Sequence, residues 1–246
     1  MIDLIVTTRD RINFLRITLE SLFSKNKTVP YRVIIFDDAS TDGTPEYLWE
    51  LNHENLQAVI LNKKRMGVAY GFNQAWAYAE QLCDFHSDKP YLCYLQDDVE
   101  SIEPEWLLTL VRAWEELGEE KKVGFLSGYD APEHPAVEEI NWDGWPVSLK
   151  KSQSAQNLMA LKSFWRSIGY VPRLNPDGST RGFPGGQKGS HIDLYLTGCM
   201  SGSRFVEKAA AENCLYNQEK NVLVIPGLLR HLGKNDEDST WRRTRI

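Results

Sequence analysis

Between residues 2 and 126, short runs of β-branched and aromatic residues alternate with longer stretches whose apolar residues recur at helical spacing. Strands are expected over 2–7, 31–36, 56–61, 91–95 and 123–126, and helices over 14–22, 44–51, 67–82 and 104–117. Thr44 is the expected cap of the second helix with Pro45 at its first position, and Gly118 ends the last one. Alternation at this spacing builds βαβ units: an α/β fold with a mostly parallel central sheet flanked by helices. Right-handed crossovers then bring the carboxyl ends of the strands to one edge, where open parallel sheets bind their ligands. The residues that close the strands are therefore the informative ones: Thr7-Thr8, Asp37-Asp38 and Asp97-Asp98.

One acidic pair at a strand end is often a cap or a solvated turn, and Ser40, Thr41 and Asp42 are good turn formers in their own right. Two such pairs on one edge are harder to assign to turns. A hard cation such as Mn²⁺ or Mg²⁺ takes carboxylate oxygens and also grips phosphates. Of two adjacent acids, one can hold the ion while the other accepts from a ribose hydroxyl.

The second half is less regular. Residues 128–189 are rich in Gly, Pro and aromatics, with one helix expected near 155–168, and strands are expected over 192–199 and 222–225. Trp142, Trp145 and Trp165 are candidates to line an acceptor site by stacking. A single domain over 1–246 is expected: a nucleotide-sugar half (1–126), an acceptor half (127–233) and a flexible tail (234–246), whose Lys234, Ser239, Thr240 and Arg242 could close over a diphosphate. The net charge of −6 argues against a nucleic-acid-binding surface. Cys83, Cys93, Cys199 and Cys214 form no CxxC pair and read as buried thiols. With no stretch of about 18 apolar residues and no leader, the expected location is cytoplasmic, with no transmembrane segment.

Four segments together resemble the family 2-like glycosyltransferases with the GT-A fold. They are IVTTRDR (5–11), FDDASTDGT (36–44), NKKRMGVAYGFNQAW (62–76) and LQDDVE (95–100), with PGLLRHLG (226–233) as a later piece. The resemblance implies a metal-dependent transfer of sugar from a nucleoside diphosphate sugar, most often a UDP-sugar, to an unidentified acceptor. It implies that Thr7, Arg9 and Asp38 serve the nucleotide, Arg65 the base or diphosphate, Asp97 the ribose and Asp98 the metal. His231 occupies the place of a late metal-binding histidine.

Two positions depart from the family pattern. Gln96 stands where an acid often opens the metal motif. Inverting members carry Glu-Asp before x-Asp-Leu as catalytic base, and here GSHIDL (189–194) offers Asp193 with His191 beside it. A competing alignment takes LTGCMSGSRFVEKA (196–209) as the strand before the base and leaves Glu212 or Glu219 for that role. The alternatives are a sugar-nucleotide-binding protein without catalysis and a nucleotidylyltransferase, whose expected Gly-rich opening loop is missing from residues 7–11.

Overall fold

The computed structural model describes residues 1–82, 89–132, 134–151, 153–168 and 220–232. Its first half follows the alternation closely, with strands β1 (Ile2–Thr8), β2 (Tyr31–Asp37), β3 (Leu56–Leu61), β4 (Tyr91–Gln96), β5 (Val99–Ser101) and β6 (Val123–Ser127). Between them lie helices α1 (Ile12–Lys25), α2 (Thr44–Glu50), α3 (Val68–Ala79) and α4 (Trp106–Leu117). Beyond them come β7 (Ala136–Trp142), β8 (Trp145–Lys150), β9 (Asn157–Leu161), α5 (Lys162–Ile168), β10 (Asn221–Val224) and β11 (Leu229–His231). The expected strand over 192–199 and the tail from 234 lie outside the described residues.

Among the described residues the main sheet runs β3-β2-β1-β4-β9-β6-β10-β8-β7. β3, β2, β1 and β4 are parallel, and β10 runs parallel to β6. β9 is antiparallel to both β4 and β6, and β8 opposes its neighbours β10 and β7. A separate antiparallel ribbon joins β5 to β11. The chain leaves β1 toward β2 on one side and returns through α3 to β4 on the other. The strand order thus reverses beside β1, which opens a crevice at the carboxyl ends of β1 and β4.

Strand periodicity explains the two cores. Ile2, Leu4 and Val6 of β1 face one layer with Leu15, Leu19 and Leu22 of α1 and Leu107 and Leu110 of α4. Ile5 faces the other, with Ala69, Phe72, Ala75 and Trp76 of α3 and Trp165 of α5. Sandwiched on both faces, β1 and β2 are near-continuous apolar runs. Cys93 is fully buried in β4, and burial pushes its thiol up to about 12, against a hydrogen bond from Asn157.

Helix α3 lies close on the sheet because Gly71 has no side chain. A Cβ there would stand 2.6 Å from the ring of buried Phe36. Overpacking of this kind costs about 1–3 kcal/mol, against about 1 kcal/mol of helix propensity recovered. Gly71→Ala is expected to lower stability by about 1 kcal/mol net in a urea titration; an unchanged midpoint would show that Phe36 yields without cost.

Two expectations are corrected. Thr44 is inside α2, not its cap: Gly43 is the cap residue at φ 86°, and Asp42 accepts from the Thr44 amide (3.2 Å) and hydroxyl (2.7 Å). The helix expected over 155–168 is strand β9 followed by α5. The contacts described for the three tryptophans are with the core and its rim. Trp165 is fully buried and donates to the Leu92 carbonyl at 2.8 Å. Trp142 donates to Glu116 at 2.7 Å beneath the Arg112 guanidinium, and Trp145 packs against the first core.

Candidate active site

The two motif loops at the carboxyl edge brace each other. The Asp10 amide donates to Ser40 Oγ at 2.8 Å, the Thr41 amide to Asp10 at 2.7 Å, and the Ile12 amide, at the start of α1, to Asp42 at 3.0 Å. Burial works to raise the Asp42 carboxyl, but hydrogen bonds from Thr44 and Ile12 outweigh it and hold it low. Within FDDASTDG the two neighbouring acids do different work. Asp37 accepts from the amide and hydroxyl of Ser40, and burial raises its carboxyl. Asp38 accepts from the amides of Met66 and Gly67, both at 2.7 Å, so it holds the loop that leads into α3. Arg9 donates to the Asp38 carbonyl at 2.7 Å. Arg65, on that same loop, is exposed.

Asp97 and Asp98 form the turn between β4 and β5. Thr18 of α1 pins this turn by donating to the Asp97 carbonyl (2.8 Å) while its hydroxyl accepts from the Val99 amide (3.2 Å). Both carboxylates are buried, at 4% and 3% exposure. The Arg11 guanidinium bridges them, Nη1 to Asp97 Oδ1 at 3.1 Å and Nη2 to Asp98 Oδ2 at 2.6 Å. Thr8 donates to the other oxygen of Asp97 at 2.7 Å. Burial lifts Asp97 to about 6 despite Arg11. Burial also acts to raise Asp98, but His231 and Arg11 prevail and hold it below the ordinary carboxylate range.

His231 reaches Asp98 through the β5–β11 ribbon, which pairs His231 with Val99. Its Nε2 lies 3.1 Å from Asp98 Oδ2, and its ring centroid 5.8 Å from that of Tyr129. Its Nδ1 is buried with no hydrogen-bond partner, as is Asp98 Oδ1. Among the described residues no three Asp, Glu, His or Cys side chains form a ready metal cage. Even so, an unpartnered buried carboxylate oxygen next to an imidazole with an orphaned nitrogen fits a divalent cation in donor chemistry.

Of the residues named from sequence, Thr7, Arg9, Asp38, Asp97, Asp98 and His231 share this edge, with Thr7 Oγ1 2.9 Å from Tyr94 Oη. Asp193 and His191 lie outside the described residues. Sequence reasoning missed Arg11, Thr8 and Thr18 as partners of the acids. Each pairs across 79 or more positions, and local pattern carries no signal of that kind.

Residues 3–157 match the profile of Glycosyl transferase family 2. The chain belongs to that family. This family 2 chain aligns over 98% of its length with 59% of PcManGT, a mannosyltransferase from Pyrobaculum calidifontis solved in complex with GDP-Man and Mn²⁺, at a TM-score of 0.58 and 16% identity. It aligns over 88% of its length with 67% of S. aureus TarS 1–349, at a TM-score of 0.51 and 13% identity. At these identities the likeness is one of fold. Protein y4gI of Sinorhizobium fredii is 28% identical over 112 residues, which are 45% of the family 2 chain and only 12% of y4gI. No described helix is long and apolar enough to cross a membrane.

Proposed function

We propose that the chain transfers a sugar from a nucleoside diphosphate sugar to an acceptor hydroxyl or amine, with inversion at the anomeric carbon. The observation that carries this reading is the pair of buried acids at the crevice beside β1, bridged by Arg11 with His231 on Asp98, in a family 2 fold. Thr7, Arg9, Arg65 and Asp38 are assigned to the nucleotide, with Asp38 also shaping the loop that would lie along it. Asp97 is assigned to a ribose hydroxyl. Asp98 and His231 would hold Mn²⁺ or Mg²⁺, which supplies positive charge to the departing diphosphate. The anomeric carbon–oxygen bond to the diphosphate breaks as the acceptor atom bonds to that carbon. The acceptor proton passes to the base, assigned to Asp193 with His191 beside it.

A UDP-sugar is the first donor to test, and GDP-mannose the second because PcManGT was solved with it. A panel of UDP- and GDP-sugars with and without Mn²⁺ is expected to yield one stabilising donor. Saturation at about 100 times Kd adds about 2.7 kcal/mol to the folded state, a rise of roughly 5–10 °C in Tm for a chain of this size. If no nucleotide sugar raises Tm at millimolar concentration, the reading is wrong. Asp193→Asn is then expected to lower turnover by roughly 10²-fold with donor affinity intact. Full activity in that variant would move the base to His191, and full activity in His191→Ala as well would move it to Glu212 or Glu219. Gln96, where an acid is common, favours donor binding without transfer as the second reading; a wild type that binds donor yet neither hydrolyses nor transfers it would establish that one.

A further inference from the structure

We propose that the chain pairs with a second copy of itself through strand β3, edge against edge and antiparallel. β3 is an outer strand of the sheet: β2 lies on one side of it and, among the described residues, no strand on the other. Such an edge leaves alternate backbone amides and carbonyls unpaired, and native proteins guard it with charge, proline or a bulge. The run LQAVIL carries neither charge nor proline. Its irregularity against β2 falls near the start, where Gln57 has no register partner, and from Ala58 to Leu61 the strand is regular.

The side chains beside this edge are apolar and open. Between β3 and α2 runs a groove of about 340 Å³, lined by Leu48, Trp49, Leu51, Leu56, Val59 and Leu61 among others. Trp49 is 84% exposed and Leu61 41%. Single exposed apolar residues are ordinary, but here the most exposed large hydrophobic of the described residues stands on a groove along a free strand edge. Charge names the occupant. Glu50 and Glu54 lie just before β3, Lys63 and Lys64 just after it, and all four are exposed. An antiparallel copy sets its basic end beside this acidic end and its acidic end beside the basic one, so both ends match at once. A parallel copy would set like charge against like. The twofold axis of the antiparallel pair stands normal to the sheet. It keeps both copies of α2 on one face, brings each Trp49 toward the partner's groove, and leaves the two crevices at opposite edges of the joined sheet. Glu50 and Glu54 also disfavour an anionic lipid surface, which the lysines alone would suit.

Sedimentation equilibrium of wild type is expected to show a dimer in the micromolar range, and Trp49→Ala to weaken it by about tenfold or more. Two charge-reversed variants read the geometry: Glu50→Lys with Glu54→Lys, and Lys63→Glu with Lys64→Glu. Either one alone opposes like charges at both ends of the pair and is expected to dissociate at least about tenfold more readily. Mixed in equal amounts the two are complementary again, and a heterodimer is expected to form. All the substituted side chains are exposed, so the circular dichroism spectra should match wild type. Wild type that stays monomeric throughout the micromolar range overturns the proposal; if that monomer also sediments with phosphatidylserine vesicles while Trp49→Ala does not, the patch faces a membrane instead. A dimer indifferent to these variants, or a mixture that stays monomeric, overturns it as well, since the contact then lies elsewhere or runs the other way. No donor enters these measurements, so their failure leaves the transfer reading untouched.

Discussion

Asp98→Ala is expected to abolish Mn²⁺-assisted donor binding and to cut transfer by roughly 10³-fold, since an electrostatic contact to developing charge contributes roughly 10²–10³ by itself. Asp98 Oδ2 serves two partners, Arg11 at 2.6 Å and His231 at 3.1 Å, while Oδ1 has none. Its removal takes away the unpartnered oxygen and sets His231 loose. Arg11 keeps Asp97 at 3.1 Å, so the turn retains an ion pair and the fold is expected to survive. Calorimetric titration of donor with and without Mn²⁺, beside a circular dichroism spectrum, checks this. Asp98→Asn should behave alike, because an amide of equal size lacks the charge. If Mn²⁺ still raises donor affinity in both variants, the ion is held elsewhere and the role given to Asp98 fails.

The second large effect lies at the opposite edge of the sheet and concerns stability. Asp3, near the start of β1, is 0% exposed, with Lys162 Nζ 2.6 Å from Oδ2 and Arg32 Nη2 2.6 Å from Oδ1. Lys162 opens α5 and is 1% exposed. Asp3→Ala takes the carboxylate from a buried ammonium, and breaking such a pair costs about 3–5 kcal/mol. At about 2–4 °C per kcal/mol for a chain of this size, Tm should fall by about 10 °C. Replacing both partners with apolar residues, Asp3→Leu with Lys162→Met, should recover most of the loss, since the desolvation of both charges disappears. Donor affinity at 25 °C should not change in either variant. A fall of less than about 3 °C in Asp3→Ala would mean that Lys162 reaches water or another acceptor once the acid is gone.

The first half of the fold was legible because both faces of β1, β2 and β4 are covered, which leaves long apolar runs broken only at the acids. The acids themselves stood out as charges at the end of such runs. The segment before α5 misled for a physical reason: a short apolar stretch such as NLMAL fits a buried strand or a buried helix equally well. The β7–β8 hairpin had a usable signal that went unread. Asp143-Gly144 between two tryptophans is a two-residue turn, and both residues take the positive φ it needs, 51° and 83°. At the site, Asp97, Asp98 and His231 were visible as residue types. Arg11 as the bridge between the acids was not, because nothing within a few positions of Arg11 records where β4 will end. The anchoring of Met66 and Gly67 by Asp38 was hidden for the same reason.

The ribbon of β5 and β11 also bears on the order in which the site is made. Glu100 and Arg230, paired across it, are 130 residues apart. At 5–20 residues per second, synthesis needs on the order of ten seconds to travel from one to the other. Throughout that interval Arg11 is the positive charge from their own half of the chain that contacts the two buried acids. The imidazole arrives last. A nascent chain stalled before β11 would thus carry an acidic turn with one positive partner while still lacking the histidine, and the crevice would be assembled well before it was chemically complete.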